Sequence, residues 1–262
     1  HREFIAKYLM RKDYENAVKI FITKYTPSER AKSSNEKRKI EKEWDKILEG
    51  EKIETKSNLF KLILNEYHAS KDWLGAYKKI PRNLREMFVI AYQSYIWNEC
   101  IKEAIREVVK EDNETSNSLT SFGVQYNVGK MLFFECIEGA EKLALPRRFK
   151  TLSPKTGMSE YEEKIIKNVI QREGVKLSDF DIKKETGTFF STLEREAFVK
   201  PKDLTISSPQ TDEINSKDLS QGNGNRNRNY RSAKGRMYKI TLSFSLPKGS
   251  YATVVLKYLF GV

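Results

Sequence analysis

An α+β fold is what the sequence predicts, and three observations predict it. Apolar residues recur at three- and four-residue spacing through most of the first 110 positions and again from Glu160 to Arg172. Two short β-type runs flank Gly129, and the longer run Met237–Leu246 alternates strictly between apolar and other side chains. A final apolar stretch, Tyr251–Leu259, returns to helical period.

Taken in order, Phe4, Ile5, Tyr8 and Leu9, then Tyr14, Ala17, Val18 and Phe21, predict two short helices, with Asp13 placed to cap the second. Thr26-Pro27 supplies a cap and a proline at a first helical position, opening a basic helix that carries Trp44, Ile47 and Leu48 and stops at Gly50. Arg30, Lys32, Lys37, Arg38 and Lys39 face solvent in this reading. Leu59–Tyr67 and Trp73–Ile80 are further helices, and Pro81 restarts the chain into a long one ending near Lys110. The stretch Met87–Trp97 is apolar nearly all round, which predicts burial. Val124–Val128 and Lys130–Cys136 predict a hairpin with Gly129 in its turn. Gly174 ends the helix that begins at Glu160. Strands follow at Gly187–Leu193, Ala197–Lys200 and Leu204–Ser207. Residues 211–235 contain Gln221-Gly-Asn-Gly-Asn-Arg-Asn-Arg-Asn-Tyr-Arg231, a polar run with little to bury, which predicts a flexible basic loop. On the strand after it, Tyr238, Ile240, Leu242, Phe244 and Leu246 share one face.

The 262 residues suffice for two linked units with a core each. Lys and Arg number 48 against 36 Asp and Glu, a net charge of +12 that attracts polyanions, nucleic acid first among them. The same balance also suits a merely charged, solvated surface. Cys100 and Cys136 lack the spacing of a zinc site or a disulfide framework. The most apolar stretches fall short of the roughly 20 residues a membrane helix needs, and His1-Arg-Glu-Phe-Ile-Ala has no export-signal pattern, so a cytoplasmic protein with no membrane partner is expected.

Three stretches carry a likeness to a known family. Ile80-Pro-Arg-Asn-Leu-Arg-Glu-Met-Phe-Val-Ile-Ala-Tyr-Gln-Ser-Tyr-Ile-Trp-Asn98 resembles a helix with a Tyr-Gln-Ser-Tyr-x-aromatic-Asn signature. Gly157-Met-Ser-Glu-Tyr-Glu-Glu-Lys-Ile-Ile, with Glu173–Phe180 and Gly187-Thr, is a looser match. Leu242-Ser-Phe-Ser-Leu-Pro-Lys-Gly-Ser-Tyr-Ala-Thr-Val-Val-Leu-Lys257 is the most specific. All three are similar to the TruD family of tRNA pseudouridine synthases, in that family's order. The resemblance implies a partial catalytic domain, with a mixed or antiparallel sheet and helices, carrying an α/β insertion domain. Residues 1–24 would be catalytic-domain helices, 25–200 the insertion domain and 201–262 the return to the catalytic domain.

The resemblance further implies isomerisation of uridine to pseudouridine, characteristically at tRNA position 13, with tRNA as partner and no cofactor. The family's nucleophilic Asp sits in a Gly-x-Lys-Asp-x-x-Ala-x-Thr-x-Gln loop, and an Asn-Tyr-Phe-Gly-x-Gln-Arg-Phe-Gly motif supplies an aromatic. Neither string occurs in these 262 residues. The chain thus reads as the C-terminal portion of such an enzyme, with an N-terminal catalytic segment as a partner chain. The competing reading is an inactive RNA-binding or regulatory remnant.

Site residues follow from the same likeness. Lys257 stands where the family usually has Arg and would pair with the catalytic Asp, keeping it charged; a solvent-facing lysine is the other reading. Lys248, Gly249 and Ser250, with Tyr251 and Thr253, form either an anion-facing rim or an ordinary strand-to-helix turn. Arg82, Arg85, Gln93 and Asn98 offer cations and amides to RNA, while core packing is the alternative for their neighbours and backbone capping for Gln93 and Asn98. Arg226, Arg228 and Arg231 form a basic arm that either orders on RNA or stays a solvated loop.

Overall fold

Helices α1 (Ile5–Met10) and α2 (Tyr14–Thr23) form where the periodicity puts them, and Asp13 accepts the Asn16 backbone N–H at 3.1 Å as the predicted cap. The computed structural model describes residues 3–26, 29–114, 119–135, 145–212 and 237–261. Packing divides the chain into two units, one of residues 1–197 with 261–262 and one of residues 198–260.

In the first unit the basic helix begins later than predicted and is broken. Helix α3 (Ala31–Lys42) starts after Arg30, and Glu43 leaves helical geometry at φ −98°, ψ 14° before α4 (Trp44–Glu49). The break accompanies the burial of Trp44, whose ring stacks on Trp73 at 5.2 Å and whose Nε1–H donates to Glu15 at 3.3 Å. Gly50 closes α4 at φ +97°, a left-handed geometry that glycine adopts without steric cost. Helix α5 (Asn58–Ser70) is capped by Ser57 and α6 (Trp73–Lys78) by Asp72. Tyr67 from α5 stacks on Trp73 from α6 at 3.7 Å, joining the two helices through one aromatic column.

Helix α7 (Arg82–Glu114) spans 33 residues and carries the core of this unit. Val89, Tyr92, Tyr95, Ile96 and Cys100 are buried on one side, whereas Met87 and Ile90 are more than half exposed on the other. The predicted all-round burial of Met87–Trp97 is thereby corrected, because nothing in the unit covers the outer stripe. A hairpin of β1 (Ser121–Tyr126) and β2 (Gly129–Phe134) follows, its turn at Asn127-Val128 with Gly129 opposite Tyr126. Strand β3 (Arg148–Lys150) pairs antiparallel with β4 (Glu194–Glu196). Between them lie α8 (Glu160–Glu173), with a Ser159/Glu162 capping box and Gly174 at φ +64°, a 3-10 turn (Leu177–Phe180) and α9 (Lys183–Thr186).

The predicted strand Gly187–Leu193 joins no ladder: Gly187 caps the preceding helix at φ +70°, and the sheet residues come after the segment at Glu194–Glu196. Its polar backbone is met largely by Thr151, whose Oγ1 donates to the Ser191 carbonyl at 2.9 Å and accepts the Leu193 N–H at 2.8 Å while its backbone N–H donates to the Leu193 carbonyl at 2.8 Å. The predicted strand Ala197–Lys200 is likewise absent.

In the second unit β5 (Lys202–Ile206) pairs antiparallel with β8 (Leu242–Ser245), and β6 (Gln210–Thr211) with β7 (Tyr238–Lys239). The single predicted strand from Met237 to Leu246 is thus split at Ile240-Thr241, where Thr241 donates its N–H to Ser207 Oγ and accepts the Ser207 N–H, both at 2.9 Å. Leu242, Phe244 and Leu246 keep the less exposed side, but Tyr238 and Ile240 face solvent. Asp203 at φ +54° sits in the bulge where the β5–β8 register shifts. Helix α10 (Ala252–Phe260) closes the unit without a fully buried side chain. Among the described residues no helix is long and apolar enough to cross a membrane.

The first unit is predicted to lose stability in alkali. Burial pushes the Tyr77 phenol up to about 12, against the opposing pull of the Arg85 guanidinium, and burial raises Tyr92 further. A phenol whose folded pKa exceeds its unfolded value stabilises the fold below pH 10 and loses that contribution as pH climbs through the folded value. For Tyr77 the loss amounts to about 3 kcal/mol between pH 10 and 12. Urea midpoints measured from pH 8 to 12 should fall steeply above 10, and a flat profile would contradict the burial of these rings.

Candidate nucleic-acid interface

The strand-turn-helix at the end of the second unit is built as its sequence dictates. Strand β8 ends at Ser245, Pro247 cannot extend it as a donor, and Gly249 takes φ +89° with open space where a Cβ would stand. The Ser250 N–H donates to the Pro247 carbonyl at 3.2 Å and closes the turn, so that amide is already occupied. Lys248, Gly249, Tyr251 and Thr253 are exposed. Lys257 is half-buried in the last turn of α10, four residues after Thr253 and on the same helix face, where a cation is favoured by the negative end of the helix.

On α7 of the first unit the four candidate residues divide. Arg82 is exposed and pairs with Glu86 at 2.8 Å. Arg85 turns inward: its Nε donates to the Ile80 carbonyl at 2.9 Å, its Nη1 donates to the Thr186 carbonyl, and its guanidinium lies 5.8 Å from the Tyr77 ring. Gln93 is 2% exposed, and its amide donates to the carbonyls of Leu152 at 2.6 Å and Ser191 at 2.8 Å. The expectation of RNA contact for Gln93 is therefore corrected, since a buried amide spent on two carbonyls cannot reach a ligand. Arg85 fastens Thr186 at the end of α9, and Gln93 fastens Ser191, to the long helix. Asn98 is half-buried. Arg226, Arg228 and Arg231 lie outside the described residues.

One group of surface residues went unnoticed in the sequence. Phe189 and Leu193 on the extended segment are 50% and 53% exposed, and Met87 and Ile90 on the adjoining helix are 60% and 53% exposed. Lys183 Nζ lies 5.3 Å from the centre of the Phe189 ring. The Phe189-Phe190 doublet held the signal: in extended backbone successive side chains point oppositely, so burying Phe190 against Phe180 obliges Phe189 to face out.

Comparison with known proteins gives concordant results. The family model described as tRNA pseudouridine synthase D (TruD) matches residues 1–259. The probable tRNA pseudouridine synthase D 1 of Methanococcus maripaludis is 35% identical over 266 residues, covering 99% of this chain and 61% of that relative. The probable tRNA pseudouridine synthase D 2 of Methanocaldococcus jannaschii is also 35% identical, over 99% of this chain and 56% of its own length. A crystal structure described as tRNA pseudouridine synthase D from Methanosarcina mazei superposes with a TM-score of 0.59 at 21% identity, covering 98% of this chain and 57% of the other, a likeness that bears on the fold alone. The chain spans between half and two thirds of the length of the relatives it matches.

Proposed function

Because the chain belongs to the TruD family of tRNA pseudouridine synthases, we propose that it serves the isomerisation of uridine to pseudouridine in tRNA, at position 13 as the family resemblance implies. The observation that carries this reading is the family match over residues 1–259, supported by two relatives at 35% identity. In that reaction the bond from the ribose to N1 breaks, the base turns, a bond to C5 forms, the C5 hydrogen leaves to solvent as a proton and N1 takes up a proton.

On this proposal the attacking carboxylate comes from polypeptide corresponding to the part of the relatives that these 262 residues do not span. The chain itself contributes the Lys257 cation and the Lys248–Thr253 rim, with Arg82 and Asn98 on the first unit as further RNA contacts. Supporting this division, none of the Lys-Asp pairs present is followed by the Ala-x-Thr-x-Gln string: Asp13 and Asp72 cap helices and Asp203 sits in a bulge. The test is tritium release from tRNA transcribed with 5-tritiated uridine. The expected result is release when a segment bearing the Gly-x-Lys-Asp loop accompanies this chain, and none from the chain by itself. Release by the chain alone would overturn the division of labour, and binding of tRNA without release in both arms would favour the inactive RNA-binding reading.

A further inference from the structure

We infer that the extended segment 187–193 of the first unit is a stacking edge for an unpaired nucleotide of RNA, with the base against the Phe189 ring and a neighbouring phosphate on Lys183. The inference rests on the RNA-modifying function proposed above and adds to it a contact outside the turn and helix that carry Lys248 and Lys257.

Four observations converge on it. Phe189 is half exposed and already has an ammonium beside its ring, and an aromatic face next to a cation is the pairing that meets a base and its phosphate together. The segment is held in place before any ligand arrives: Arg85 holds the Thr186 carbonyl, Gln93 and Thr151 hold that of Ser191, and Thr151 accepts the Leu193 N–H. A platform fixed in this way orders little on binding, which favours affinity. Glu86 pairs with Arg82 and Glu185 with Lys12, Asp181 stands two residues before Lys183, and among the described residues no carboxylate is within ion-pair distance of Lys183 or Lys184. Lys183 beside the Phe189 ring is therefore a cation open to a phosphate, in keeping with the net charge of +12. Leu193 on the same segment is also more than half exposed, as are Met87 and Ile90 on the helix to which the segment is tied.

The experiment is tRNA binding by the full chain, followed by fluorescence anisotropy at several salt concentrations. Phe189→Ala should weaken binding about 5- to 100-fold with an unchanged salt slope, and Phe189→Trp should restore it. Lys183→Ala should lower the slope of log affinity against log salt by about one. Leu62→Ala, at a half-exposed apolar position on α5, should change neither. If the wild-type chain binds tRNA and Phe189→Ala binds equally well, the stacking edge is refuted and the RNA-modifying function stands. Absence of binding by the wild-type chain would overturn the stacking edge, while the tritium-release test decides the RNA-modifying function separately. Should Phe189→Ala alter sedimentation instead of tRNA affinity, the patch joins copies of the chain and the inference fails. Should it lower the melting temperature as well as affinity, the Lys183→Ala slope decides, because a packing role does not move it.

Discussion

Tyr92→Ala is expected to remove a large share of the first unit's stability and to shift its denaturation midpoint far below that of the parent. The Tyr92 ring is fully buried in the first third of α7, 5.2 Å from Phe4, 6.2 Å from Tyr95 and 6.4 Å from Phe180, so it ties the first helix and the 3-10 turn to the long one. Truncating a buried aromatic to alanine costs about 3–5 kcal/mol, a large share of the 5–15 kcal/mol that typically holds a domain together. Tyr92→Phe keeps every ring contact and should stay within about 1.5 kcal/mol of the parent, as volume-conserving exchanges do. Chemical denaturation followed by far-UV circular dichroism separates the two. A Tyr92→Ala midpoint close to that of the parent would mean that α1 and the 3-10 turn are not anchored through this ring.

The second large effect concerns Lys257 and depends on the proposed reaction. If its ammonium keeps the attacking carboxylate charged, Lys257→Ala in the complete enzyme should lower the rate of tritium release about 100- to 1000-fold, the range seen when one preorganised electrostatic partner is removed. The loss should fall on turnover and leave tRNA affinity nearly intact. The acid limb of the pH-rate profile should also move upward, because a carboxylate without its cation takes up a proton at higher pH. Lys257→Arg should recover most of the rate, since a fixed planar cation serves the same carboxylate. An unchanged pH profile with reduced affinity would make Lys257 a phosphate contact and not the partner of the nucleophile.

Local signals were read well where the controlling interactions are local. Asp13 caps the helix it was expected to cap, and Gly50 and Gly174 end their helices in the left-handed conformation. The break at Glu43 was invisible because it accompanies Trp44 stacking on Trp73, 29 positions away. For Gln93 the sequence left RNA contact and backbone capping both open, and only the carbonyls of Leu152 and Ser191, 59 and 98 residues away, select the second.

By itself the sequence determined the α+β class, the order of helices, the hairpin, the strand-turn-helix ending in Lys257 and membership in a family, all of which rest on periodicity, caps, glycine geometry and motif spacing within a few residues. Only the tertiary structure decided which stripe of α7 faces water, that Arg85 and Gln93 are spent inside the fold, and that Phe189 stands out beside Lys183. The reason is physical: a side chain's partner is chosen by packing between segments about 100 residues apart, and no local pattern encodes which of two apolar faces finds a neighbour.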